Sequence, residues 1–231
     1  MLFGYFFGDW TILILIPALI FTFWAQMSVQ SAYHKYSKIR NAHGMTGADA
    51  ARRILDANGL HDIKIEQIPG EMTDHYDPRA RVIRLSQGTH SVATVAAVGI
   101  AAHEAGHAVQ HAVGYSGIRV RNAILPVCRI GSMAAMPLFL IGLFMVFEPL
   151  MLVGILAYSA VTLFQLVTLP VEFNASRRAM EALVDSGYLS AEETEGSRRV
   201  LRAAAMTYVA ALATSLLTLL RLVVLASGRR R

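Results

Sequence analysis

The chain has 231 residues, of which 55% are hydrophobic and only 16% charged, and its net charge is +5. That is too apolar for an ordinary soluble enzyme and points to an integral membrane protein, one modest domain plus membrane elements. The basic residues cluster beside the apolar runs, which suits topology signals and anionic-lipid contacts and not a nucleic-acid surface. Cys128 is the only cysteine, so no intramolecular disulfide can form.

The first apolar run, residues 10–27, is near the length needed to cross a bilayer. Asp9 precedes it and no Lys or Arg does, so it lacks the basic start of a secretory signal and reads as an uncleaved anchor over residues 1–28. Lys35, Lys38 and Arg40 follow, which places the next segment in the cytoplasm by the positive-inside rule. Thr46-Gly47-Ala48-Asp49 opens a helix as a capping-box-like pair, and Gly59 stops it. Residues 63–68 and 81–86 alternate like half-buried strands and are expected to pair as a small sheet. Between them, Thr73-Asp74-His75-Tyr76-Asp77-Pro78 is polar and turn-rich, and Asp74, His75 and Asp77 are all potential metal ligands.

His103-Glu104-Ala105-Gly106-His107 follows, inside an apolar stretch that reads as a buried helix stopped by Gly114. Residues i and i+4 share a helix face, so both imidazoles can bind one metal ion. Glu104, beside the first ligand, can take a proton from a zinc-bound water. Catalytic zinc usually has three protein ligands, so a third is required. A metzincin would carry a histidine at position 113, which is Val113. His111 reads better as an ordinary polar group, and Glu172, in a helix that Pro170 is expected to open, is the best remaining candidate.

Residues 131–147 and 150–169 are two apolar runs separated by Glu148-Pro149, a transmembrane hairpin with its tip outside. Arg119, Arg121 and Arg129 before it and Arg177 and Arg178 after it place both flanks in the cytoplasm. Ser190-Ala191-Glu192-Glu193 is a capping box opening a last helix, apolar over 203–226 and ending in three arginines, which either spans or packs on the membrane. The regions expected are therefore an anchor over 1–28, a catalytic region over 29–130, the hairpin over 131–169, a helical region with the third ligand over 170–202, and the apolar helix over 203–231.

The motif around His103, the loop around Asp74 and the run Val171-Glu172-Phe173-Asn174-Ala175-Ser176-Arg177-Arg178-Ala179 resemble the YugP-like neutral zinc metallopeptidases of bacterial membranes. The wider resemblance is to HtpX-type gluzincin proteases. It implies a mainly α, multi-pass membrane protein with a small α+β gluzincin-like zinc metallopeptidase domain. It also implies one zinc ion per chain held by His103, His107 and Glu172, with Glu104 as general base. Peptide or membrane-protein substrates would be cut at the cytoplasmic face of a bacterial plasma membrane.

Gluzincins often carry Asp four residues after the third ligand, to orient a zinc histidine; that position here is Ser176, and Asn174 is a poorer substitute. His75, Tyr76 and Arg178 are candidates for contacting substrate or stabilising an oxyanion. Two other readings compete. One is a non-catalytic scaffold with a structural zinc. The other is an intramembrane site-2-type metalloprotease, which should carry an Asp-Gly ligand motif in a later span; Asp185-Ser186-Gly187 lies instead in a polar stretch.

Overall fold

The computed structural model describes residues 10–228. Asp9 and the terminal arginines 229–231 lie outside the described residues. The chain is mainly helical: a 3-10 turn Trp10–Leu15 leads into α1 (Ile16–Tyr36), followed by α2 (Gly47–Ala57), β1 (Lys64–Ile68), β2 (His75–Asp77), β3 (Val82–Ser86), α3 (Gln87–His90), α4 (Val95–Ala112), α5 (Ser116–Met145), α6 (Glu148–Ser186) and α7 (Ala191–Gly228). The described residues divide into two compact units, one from residues 10–25, 120–169 and 207–228, the other from 26–119 and 170–206.

The first unit is helical and apolar. Four helices that contribute to it, Trp10–Tyr36, Ser116–Phe144, Glu148–Ser186 and Ala191–Gly228, are long and apolar enough to cross a membrane. The last apolar run is thus one stretch of a continuous 38-residue helix. Arg221, awkward in that run, donates through Nε to Thr11 Oγ1 at 3.2 Å. Glycines bring α5 and α6 together: a Cβ on Gly142 would meet Met151 N at 2.6 Å, and one on Gly154 would meet Phe139 N at 2.6 Å. Small residues at such contacts are the usual basis of helix packing where burial in lipid offers no hydrophobic gain. The hairpin turn falls at Val146-Phe147, and Glu148-Pro149, expected to form it, instead open α6. Val146 there has φ 53°, and Phe147 N–H donates to Gly142 O at 2.8 Å, a Schellman-type end with valine where glycine is usual.

Pro170 does not open a helix, contrary to expectation; it lies inside α6. A proline removes one helical hydrogen bond and crowds the preceding turn. Here Val171, Ala175 and Ala179, all fully buried along one face, hold the helix on course through it. The hairpin's first helix also starts earlier than residue 131, at Ser116.

The second unit is α+β. Thr46 and Asp49 form the expected capping box: Asp49 N–H donates to Thr46 Oγ1 at 3.1 Å, and Thr46 N–H donates to Asp49 Oδ2 at 3.0 Å. The helix stops before Gly59, whose φ is 71°. β1 and β3 pair as expected, in parallel, with Ile65 opposite Ile83. β2, read from sequence as a turn, pairs antiparallel on the other side of β3, so the sheet order is β1-β3-β2. Ile83 and Leu85 of β3 pack with Ile54 and Leu55 of α2, Val98, Ala101 and Ala105 of α4, and Leu183 of α6. The alanine-rich face of α4 lets these elements approach closely. Thr94 caps α4 through its Oγ1, and Gly114 (φ 64°) follows its end as expected. At the start of α7, Ser190 N–H donates to Glu193 Oε2 at 2.8 Å and Glu193 N–H to Ser190 Oγ at 3.2 Å, the second expected capping box.

Candidate metal centre

His103 and His107 lie one turn apart on α4 and point the same way, ring centroids 4.7 Å apart and nearly perpendicular. Gly106 sits between them, and a Cβ there would meet the carbonyl oxygen of Ala175 at 2.6 Å. The missing side chain lets α6 lie directly against α4, which carries Glu172 to the two histidines. Glu172 is buried, only 3% exposed.

One oxygen of that carboxylate, Oε2, stands 3.4 Å from His103 Nε2 and 3.4 Å from His107 Nε2. Two nitrogens and one oxygen bound to zinc at about 2.1 Å in tetrahedral geometry would be about 3.4 Å apart. The two nitrogen–oxygen edges therefore already have the length of those in a zinc site, and two imidazoles with a carboxylate form a donor set that suits zinc. Among the described residues, this is the one cluster of three side chains able to hold a metal ion. Glu104 is buried beside it in sequence and only 8% exposed. Burial works against a charged His107, but the carboxylates of Glu172 and Glu104 outweigh it, and without metal the ring holds its proton more tightly than a free imidazole does.

The far side of each imidazole is also engaged. Ser176 Oγ lies 3.1 Å from His103 Nδ1. His107 Nδ1 lies 2.9 Å from Gln110 Oε1. Gln110 Nε2 donates to Val171 O at 2.8 Å and to Asn174 Oδ1 at 2.9 Å, and Asn174 Oδ1 also accepts from Arg178 Nε at 2.9 Å.

Residues 11–227 match the profile of a family described as "Putative neutral zinc metallopeptidase". The chain belongs to this family. It is also 47% identical over 214 residues to a Bacillus subtilis (strain 168) protein named "Putative membrane protease YugP", a similarity covering 93% of this chain and 95% of that one. No solved structure matches it.

In this member of the family the side chains of the alternative ligand loop are engaged in local hydrogen bonds. The Asp74 carboxylate accepts from Ser86 N at 2.8 Å and from Ser86 Oγ. Asp77 accepts from the N–H groups of Arg79 and Ala80 and from Arg84 Nη1 at 3.0 Å, bonds that hold its carboxyl below the usual range, the Ala80 bond foremost. His75 Nδ1 bonds to Thr73 O, and neither His75 nor either aspartate joins the three-ligand cluster. Tyr76 packs edge-on against His111, centroids 5.9 Å apart, and His111 is not one of the three clustered donors. Arg178 and Asn174 are joined to each other and to Gln110. Gln110 is the residue sequence reasoning missed: its only signal is a fully buried amide three residues past the second histidine, in a helix otherwise lined with alanine and valine.

Proposed function

We propose that the protein is a membrane-anchored zinc endopeptidase, of gluzincin type, working at the cytoplasmic face of the membrane. The observation that carries this is the placement of one Glu172 oxygen 3.4 Å from both histidine Nε2 atoms, with a glutamate immediately after the first histidine. His103, His107 and Glu172 would hold the ion. When bound, zinc supplies Lewis acidity, which polarises a scissile carbonyl and makes a water acidic enough to attack it. Glu104 takes the proton from the attacking water and delivers it to the leaving amine. Ser176 and Gln110 orient the two rings from behind. β2 has β3 on one side only, so its outer edge is available to an extended peptide through backbone hydrogen bonds.

The cytoplasmic assignment follows from charge. Lys35, Lys38 and Arg40 follow the first span, Arg119 and Arg121 lie at the start of the second, Arg177 and Arg178 come after the apolar part of the third, and Arg198, Arg199 and Arg202 precede that of the fourth. Glu172 comes only three residues after the end of the apolar hairpin, so substrates would be loops or tails of membrane proteins. The deciding experiment is metal analysis of detergent-purified protein, wild type beside Glu172→Ala. About one zinc per chain, lost or much weakened in the variant, is expected. Full zinc retained in Glu172→Ala overturns the ligand assignment.

A further inference from the structure

The two histidines are supported from behind by different chemistry. Ser176 offers His103 a hydroxyl, which can donate or accept and so is compatible with either ring tautomer. His107 meets an amide at the end of a chain whose polarity has one solution. The guanidinium of Arg178 can only donate, so the atom of Asn174 facing its Nε must be the oxygen. That oxygen and the Val171 carbonyl can only accept, so the atom of Gln110 facing both must be the NH2 group. Its other end, Oε1, then faces His107 Nδ1 at 2.9 Å and can only accept. Turning either amide over would set donor against donor or acceptor against acceptor in a site where Gln110 is fully buried.

We propose that Gln110 is a positioning residue that fixes His107 as its Nδ1–H tautomer, keeping the Nε2 lone pair aimed at the metal, and that Asn174 and Arg178 serve to fix the orientation of Gln110. This rests on the reading of His103, His107 and Glu172 as the metal ligands. The chain runs Arg178 to Asn174 to Gln110 to His107, entirely through donors and acceptors of fixed sense. It ties the second ligand on α4 to the stretch of α6 that carries Glu172, so the histidine and the glutamate are held in register by one network. Among the described residues, no comparable chain backs His103.

The test is zinc affinity of the full-length protein in detergent, by competition with a chelator. Gln110→Met keeps the volume and removes both donor and acceptor; zinc binding should weaken about 10- to 100-fold, the usual effect of losing such a support. Asn174→Asp keeps the acceptor for Gln110 and Arg178 and should bind as wild type, whereas Asn174→Leu should be weaker. A spectroscopic readout separates this from a packing role. In zinc-loaded protein labelled with 15N-histidine, the His107 Nδ1–H should give a protected, slowly exchanging proton signal that is absent in His107→Ala and lost or rapidly exchanging in Gln110→Met. Wild-type zinc affinity together with a retained signal in Gln110→Met overturns the proposal. If that variant does not fold, the Asn174 pair decides: Asp tight with Leu weak supports the chain, and Asp and Leu alike overturns it. Wild-type protein that takes up no zinc overturns the metal reading itself, an outcome distinct from wild-type zinc binding that is indifferent to Gln110.

Discussion

At the scale of single residues, the proposed chemistry separates binding from proton transfer. Glu104 is the neighbour of a ligand and not one of the three clustered donors. Glu104→Gln keeps the size and hydrogen-bonding capacity of the side chain and removes only its ability to take a proton. It is therefore expected to retain zinc at about one per chain while lowering cleavage of a peptide substrate by at least about 100-fold, in line with loss of general base catalysis. Cleavage at the wild-type rate with zinc present would assign the base elsewhere. His103, Glu104 and His107 were legible in the sequence because their spacing is the chemistry: four residues on a helix bring two rings to one ion. Glu172 was legible only as the best remaining carboxylate, since 65 residues separate it from His107 and no local pattern states that distance in space. Gln110 was not legible. A glutamine carries no spacing rule, and its meaning depends on Asn174 and Arg178, which reach it from another helix.

At the scale of elements, the metal centre depends on how closely two helices approach. Gly106 removes a Cβ that would otherwise lie 2.6 Å from Ala175 O, a distance that real side chains do not tolerate. The carbonyl is helix backbone and cannot swing aside, so Gly106→Ala must push α6 away from α4, at a cost of about 1–3 kcal/mol for overpacking. Because Glu172 rides on α6, the variant is expected to weaken zinc more than it weakens folding, which chelator competition and denaturant unfolding measured together would show. Equal zinc affinity in Gly106→Ala would mean that the spacing does not matter to the ligands.

The ends of α2 make a different prediction. The bonds from the Thr46 hydroxyl and then the Thr46 N–H hold the Asp49 carboxyl below its ordinary value. A carboxyl whose folded pKa is depressed stabilises above its unfolded pKa, about 4, and loses that contribution as pH falls through the lower folded value. Asp49→Asn should therefore be less stable than wild type at neutral pH, by up to about 1 kcal/mol as for other caps, with the difference closing below about pH 4. A gap that stays constant with pH would remove the carboxylate from the explanation. Both capping boxes were readable from four-residue patterns, as were β1 and β3 from their alternation. β2 was not, because three residues bounded by turns show no period; it exists through pairing with β3. Pro170 misled for a related reason, since a local rule for helix starts gave way to the packing of Val171, Ala175 and Ala179.

At the scale of the whole molecule, the apolar runs and their flanking charges set an orientation that can be measured. Four helices are long and apolar enough to cross a membrane, and an even number of crossings returns the chain to the side on which it began. On the proposed topology, the basic residues between the first and second of these helices, and between the third and fourth, would put the segments with His103, His107 and Glu172 on one side, the cytoplasm. The turn between the second and third, with Glu148 just after it, carries no basic residue, which suits the outside. Cys128 is the only cysteine and is buried, so a Cys128→Ser background leaves a single introduced thiol to report. Phe147, at the hairpin tip, and Met72, between β1 and β2, are both exposed large side chains and good places to put it. In intact cells a membrane-impermeant maleimide should label Phe147→Cys directly and Met72→Cys only after the membrane is permeabilised. The opposite pattern would place the metal centre outside and turn the search for substrates from cytoplasmic loops to extracellular ones. Labelling of both thiols in intact cells would mean that α5 and α6 do not form a crossing hairpin, and the membrane-surface location of Glu172 would fall with it.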